Sequence, residues 1–165
     1  MRSGGNPLMR QMVHGTAISI DGHGVLILGE SGSGKSDVAL RLIDRSAVLV
    51  SDDIVYLENH GDSLLLVHAP NIAGKIEVRG VGICDVDFIP SAPLRLVVQF
   101  VNALDRLPEE NARTNIGDCM VPLCRLNPFE PSSAIKVEYA LRAVVDNAIW
   151  PEVAAPSALK ESLPS

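Results

Sequence analysis

The chain has 165 residues, 47% apolar and 21% charged; a domain of that size buries about two-thirds of its unfolded surface, so it needs no disulfide or metal staple to hold a core. Fourteen Lys and Arg against twenty Asp and Glu leave a net charge of −6 with no basic stripe, which excludes a nucleic-acid binder working by phosphate neutralisation. No stretch reaches the ~18 consecutive apolar residues of a membrane span, and MRSGGNPLMRQMVHG lacks a signal peptide's apolar centre, so the expected location is cytoplasmic.

In chain order, residues 1–11 read as a flexible leader. From Met12 the text turns β-like: VHGTAISI alternates, DGHG at 21–24 marks a turn, and VLILG is a continuous apolar run, together predicting a hairpin that feeds a buried strand. GESGSGKS follows. Val38, Ala39, Leu42 and Ile43 then recur at helical spacing over 36–45, with Arg41 and Arg45 late in the segment, where cations suit the helix dipole. AVLVSDDIVYL predicts an apolar strand ending at Asp52 and Asp53, and NHGD at 59–62 turns the chain into SLLLVHAP.

In NIAGKIEVRGVGICDVDF, 71–88, three glycines punctuate a β pattern that sets Glu77 and Arg79 on one strand face. LRLVVQFVNA, 94–103, is the longest buried-strand candidate. DRLPEENAR reads as a charged loop, VPLCRLNPFEPSS as a Pro-rich one, and KVEYALRAVVDNAI, 136–149, as an amphipathic helix before a tail at 151–165. The apolar stripe of that helix, Val137, Leu141, Val144 and Val145, suits core packing first and an interface second. Cys84, Cys119 and Cys124 are an odd, scattered set that reads as reduced thiols.

The chemistry concentrates at Gly29, Glu30, Ser31, Gly32, Ser33, Gly34, Lys35 and Ser36, which match G-x-x-x-x-G-K-[ST] between a predicted strand and a predicted helix. Glycines let backbone N–H groups turn in around phosphate oxygens, and a side chain at Gly34 is expected to obstruct that approach. The helix N-terminus adds its dipole, Lys35 reaches the β and γ phosphates, and the Ser36 hydroxyl suits Mg²⁺. No Asn-Lys-x-Asp base-reading motif accompanies the loop, which argues against a GTPase switch. Asp52 and Asp53 lie just beyond the strand after the loop's helix, where ligands bind in open α/β sheets, and one of them could take a proton from an attacking hydroxyl. A turn that merely caps the strand is the alternative. A small-metabolite kinase and a non-catalytic nucleotide sensor remain as functional alternatives.

Three separated pieces, HGTAISIDGHGVLILGESGSGKSDVALRLIDR, SDD and IEVRGVGICDV, closely resemble the catalytic domain of the bacterial HPr kinase/phosphorylases, whose signature is a phosphate loop followed by E-[IV]-R-G-[LV]-G-I. The resemblance runs from about His14 to Val86. It implies an α/β fold of the phosphoenolpyruvate carboxykinase-like type, a mixed, twisted sheet with flanking helices, spanning 12–150. It also implies ATP- and Mg²⁺-dependent phosphorylation of a serine on HPr, a small phosphocarrier of the phosphotransferase system, reversed in many members by inorganic phosphate.

By position, the family's proton acceptor falls on Asp53 with Asp52 its acidic neighbour at the metal, its active-site histidine on His14, and its loop lysine and metal-binding serine on Lys35 and Ser36. The second magnesium ligand falls on Glu77, with Arg79 two residues on, and the later catalytic arginine falls on Arg106 in LDRLP. Hexameric assembly is implied as well.

Two departures shape the expectation. Only about a dozen residues precede His14, so the chain looks like a short form consisting of the catalytic domain alone. The family's basic V-x-R-P-G-R-N loop, linked to the phosphorylase reaction, is replaced near 126–133 by LNPFEPSS. Loss of those arginines removes donors for inorganic phosphate, so kinase activity is expected to be better preserved than phosphorylase activity.

Overall fold

The structure, a computed structural model, describes residues 10–61, 63–101 and 112–147 and the backbone of 152–153. The predicted hairpin is present as β2 (Thr16–Ile20) and β3 (His23–Leu28), joined by a two-residue turn in which Asp21 and Gly22 both have positive φ, the backbone that matches the twist of a tight hairpin. It is preceded by β1 (Arg10–His14), which pairs antiparallel with β5 (Ile54–Asn59). Arg10 and Gln11, expected in a flexible leader, are therefore strand residues; the rest of that expected leader lies outside the described residues.

The strand predicted to end at Asp52 and Asp53 is β4 (Val48–Ser51), and IVYL, read as part of the same run, forms the separate strand β5 on the far side of the acid pair. β6 (Leu64–His68) returns antiparallel to β5. The long strand β9 (Ser91–Phe100) covers most of the segment predicted at 94–103. It runs parallel to β3 on one side; on the other it pairs with β6 along 91–93 and then with β11 (Cys119–Leu126), again parallel. β10 (Arg113–Ile116) and β12 (Glu152–Val153) flank β11. The sheet is thus mixed, with β3, β9 and β11 as its parallel centre. VPLCRL, read from sequence as the start of a Pro-rich loop, is instead strand, and Ser133 opens the helix α2 (Ser133–Asp146); only 127–132 forms the predicted loop.

Alternation sorts the strand residues between two cores. Ile18, Val25, Ile27, Leu96 and Val98 pack against the helices α1 (Lys35–Asp44) and α2 (Ser133–Asp146), while Ala17, Leu26 and Val97 face the opposite side with Val55, Leu57 and Leu66. Both helices therefore cover one face. Val137, Leu141 and Val144 of α2 are buried in that core, which accounts for the apolar stripe without an interface. Among the described residues, no helix is long and apolar enough to cross a membrane.

A separate hairpin, β7 (Lys75–Val78) and β8 (Gly82–Asp85), is anchored by Ile76, which is 1% exposed in the helix-side core. Its strand ends at Val78, so Arg79 stands in the turn and not on a strand face beside Glu77.

Candidate functional site

The parallel centre of the sheet decides where the site lies. β3 and β11 both run parallel to β9, so the loops that leave β3 and β11 emerge at the same end of the sheet, beyond the carboxyl ends of the strands. The first is Gly29–Gly34, opening α1; the second is Asn127–Ser132, opening α2. The β7–β8 hairpin completes the cleft: its lining includes Gly34, Lys35 and Ser36 from the loop, Asp53, Glu77 from β7 and Arg79 from the turn.

The glycine loop is shaped by two different demands. A Cβ on Gly29 would stand 2.5 Å from Ser33 Oγ and 3.2 Å from Phe100 Cβ, so a side chain at the loop start would have to displace Ser33. Gly34, expected to leave room for an incoming phosphate, is uncrowded by the chain itself: among the described residues a Cβ there meets only Pro128 Cβ, at 3.5 Å. It meets a conformational requirement as well, a φ of 101° that an L side chain rarely adopts. Gly34 caps α1 without a side-chain hydrogen bond, which leaves the first N–H groups of the helix directed at the cleft. Lys35 folds back over the loop, its Nζ donating to the carbonyls of Gly29 at 2.9 Å and Glu30 at 3.0 Å. Ser33 Oγ is buried and has no hydrogen-bond partner among the described residues.

Asp52 is the hub. It is 6% exposed, and its Oδ1 accepts from Ser36 Oγ at 2.7 Å and from Thr16 Oγ1 at 2.9 Å, while Oδ2 accepts from the backbone N–H of Glu77 at 3.2 Å. One carboxylate thus fixes the helix start, β2 and β7 relative to one another. Thr16, fully buried, escaped the sequence reading because a threonine in an alternating strand carries no signal of what its hydroxyl meets.

Asp53 is the opposite case, exposed and without a side-chain partner among the described residues. Its φ is 71°, and Ile54 N–H donates across it to Asp52 O at 2.8 Å, an i to i+2 turn. A non-glycine residue held there stores strain, which the surroundings maintain: Ser51 Oγ donates to Ile54 O at 2.5 Å, and Gly15 N–H donates to Asp53 O at 3.0 Å. The turn separates two acids adjacent in sequence, sending Asp52 inward and Asp53 into the cleft. His14 pairs in register with Ile54, beside Asp53, but it is exposed and no hydrogen bond joins its ring to the Asp53 carboxylate.

The loop, Asp53, Glu77 and Arg79 therefore meet at one cleft, with Asp52 buried behind Ser36; His14 is not among the cleft's lining residues. Arg106 lies outside the described residues. Among the described residues, no cluster of three or more His, Cys, Asp and Glu side chains is arranged as a metal cage.

Comparison with known proteins gives a consistent result. The family model described as the HPr Serine kinase C-terminal domain matches residues 8–150. The chain is 40% identical over 145 residues to an HPr kinase/phosphorylase of Clostridium beijerinckii, covering 80% of this chain and 47% of that protein. It is 36% identical over 124 residues to one of Mycoplasmopsis pulmonis, covering 67% and 40%. The solved structure of the Hpr(Ser) kinase/phosphatase from Coxiella burnetii superimposes with a TM-score of 0.73 at 28% identity, covering 84% of this chain and 92% of that one. The chain spans less than half the length of the curated relatives it matches.

Proposed function

The chain belongs to the HPr serine kinase C-terminal domain family, and from that premise we propose that it transfers the γ-phosphoryl group of ATP to a serine hydroxyl of an HPr-type phosphocarrier protein in the cytoplasm. The observation that carries this reading is the division of labour between Asp52 and Asp53. A nucleotide sensor needs a phosphate cradle and an ordered helix start, but it does not need an unpaired carboxylate held in a strained turn over the same cleft.

Phosphoryl transfer asks mainly for in-line positioning and charge neutralisation. The backbone N–H groups of 29–36 would hold the phosphate chain, and Lys35 would exchange its two carbonyl partners for phosphate oxygens. Asp53 would orient the incoming serine and accept its hydroxyl proton as the oxygen attacks phosphorus and the bond to the ADP leaving oxygen breaks. His14 would steady Asp53 from the adjoining strand, and Arg79 with Arg106 would offset charge on the transferring group.

The donor set fits magnesium: Ser36 Oγ and the Glu77 carboxylate line one cleft, and Mg²⁺ characteristically takes few protein oxygens and completes its shell with phosphates and water. When bound, the ion would supply a counter-charge to the β and γ phosphates. Asp52 would contribute by fixing the Ser36 hydroxyl and the Glu77 backbone.

In reverse, a phosphate oxygen would attack the phosphorus of phosphoserine, the bond to the serine oxygen would break as Asp53 returned a proton to it, and pyrophosphate would be released as the product. The 126–133 loop holds one carboxylate and no arginine, which supports a chain that favours the forward direction. Assembly as a hexamer belongs to the same family-based reading. Incubation with ATP, Mg²⁺ and an HPr-type protein, followed by mass spectrometry of the protein product, tests the proposal: phosphoserine supports it, and transfer to a small metabolite with none to HPr overturns it. Efficient pyrophosphate release from phosphoserine-HPr would overturn the forward bias.

A further inference from the structure

Phe129 is 71% exposed and lines the same cleft as the glycine loop. In a chain with only three phenylalanines, an aromatic ring left in water at the rim of a phosphate site is conspicuous, because burial in the core is the ordinary fate of that side chain.

The segment that displays it is firmly built. Asn127 Oδ1 accepts the Phe129 N–H at 2.9 Å and Asn127 O accepts the Glu130 N–H at 3.3 Å, folding the chain into a tight turn. Ser133 Oγ donates to Pro128 O at 3.4 Å, and Arg41 on α1 donates to Ser133 Oγ at 3.0 Å and Glu130 O at 3.4 Å. Pro128 sits directly against the phosphate loop, its Cβ 3.5 Å from where a Gly34 Cβ would stand. The ring is therefore presented from a fixed backbone, on the side of the cleft bordered by the helix start.

A nucleotide joins a polyanion to a planar heteroaromatic ring, and this cleft has a partner for each. The glycine loop and Lys35 suit the anion, whereas LNPFEPSS has no cation for a phosphate but does have an exposed aromatic face. We propose that Phe129, backed by Pro128, is the platform on which the nucleobase stacks. The inference rests on reading the cleft as a nucleotide site and adds the base subsite to it.

Calorimetric titration of the full chain with MgADP and with magnesium pyrophosphate, which has phosphates but no base, tests it. Phe129→Ala is expected to weaken ADP about tenfold, the effect of losing one base–aromatic stack, and to leave pyrophosphate affinity unchanged; Phe129→Trp is expected to retain ADP. Since the ring is exposed, both variants should melt like the parent chain. Equal weakening of both ligands, or undiminished ADP binding by Phe129→Ala, would overturn the proposal. So would a loss confined to HPr affinity, which would make Phe129 a protein-docking residue. Parent chain that bound neither ligand would overturn the nucleotide reading itself, whereas Phe129-dependent ADP binding without transfer to HPr would leave this inference standing and remove the serine-kinase reading.

Discussion

Ser36 Oγ and Asp52 Oδ1 lie 2.7 Å apart, a hydrogen bond between the first turn of α1 and the end of β4 that spans sixteen residues of sequence. The same oxygen accepts from Thr16. The hydroxyl expected to meet the metal is therefore aimed by a buried carboxylate, and that carboxylate is in turn aimed by β2.

Thr16→Val keeps the volume and removes the hydrogen bond to Asp52. A bond from a buried donor to a charged acceptor is worth about 2 kcal/mol, so the variant should lose about that much stability in denaturant titration. If Thr16 also positions Ser36 through Asp52, half-maximal activity should require several-fold more magnesium, a change that a purely structural role would not produce.

Gly29→Ala introduces a Cβ 2.5 Å from Ser33 Oγ. Overpacking of this kind costs ~1–3 kcal/mol, here within the loop itself, and ADP affinity should fall with stability. Adding Ser33→Ala removes the nearer clash and leaves Phe100, so it should restore part of both losses. Calorimetry on the two variants measures this directly.

Arg41 links α1 to the turn that carries Phe129. Arg41→Met should speed amide hydrogen exchange across 127–133 about tenfold, the equivalent of one or two lost hydrogen bonds. Exchange in β3 and β9 should stay unchanged.

Acid stability should depend on Glu58. Arg10 Nε donates to its carboxylate at 2.8 Å, with a further contact from Nη2, and His60 approaches at 3.1 Å; these hydrogen bonds, Arg10's first, hold the carboxyl below the ordinary carboxylate range. Its pKa is lower folded than unfolded. Its contribution is therefore fully present above the unfolded value of about 4.3 and is lost as pH falls through the folded value. Glu58→Gln should accordingly be less stable than the parent chain at neutral pH and lose less on acidification below about pH 5, read as melting temperature against pH. Because Arg10 pairs in register with Glu58, the same change should loosen β1, the strand that carries His14.

The legible parts of the molecule were those in which local chemistry and local conformation coincide. GESGSGKS announces a strand, a loop and a helix because each glycine, Lys35 and Ser36 act within one short stretch. DGHG announces its hairpin for the same reason. The acid pair was legible as two carboxylates, but not as a hub and an exposed acid, because that distinction comes from the positive φ at Asp53 and from hydroxyls on other strands. VPLC reads as loop because of its proline, although Pro122 is accommodated in β11 opposite Arg113 of β10. Arg79 was set on a strand face because strand periodicity alone does not reveal where a turn begins. Phe129 was visible only as part of a loop that had lost its arginines.

In the proposed reaction Asp53 takes the proton from a serine of an HPr-type protein while the glycine loop holds the phosphoryl donor. Its most direct test is transfer of labelled γ-phosphate from MgATP to HPr, comparing the parent chain with Asp53→Asn, with ADP binding measured on both. The proposed reaction requires phosphoserine-HPr from the parent chain, a loss of at least about a hundredfold in the variant, and little change in ADP affinity. Undiminished transfer by Asp53→Asn, or no transfer to HPr by a parent chain that binds ADP, would contradict it.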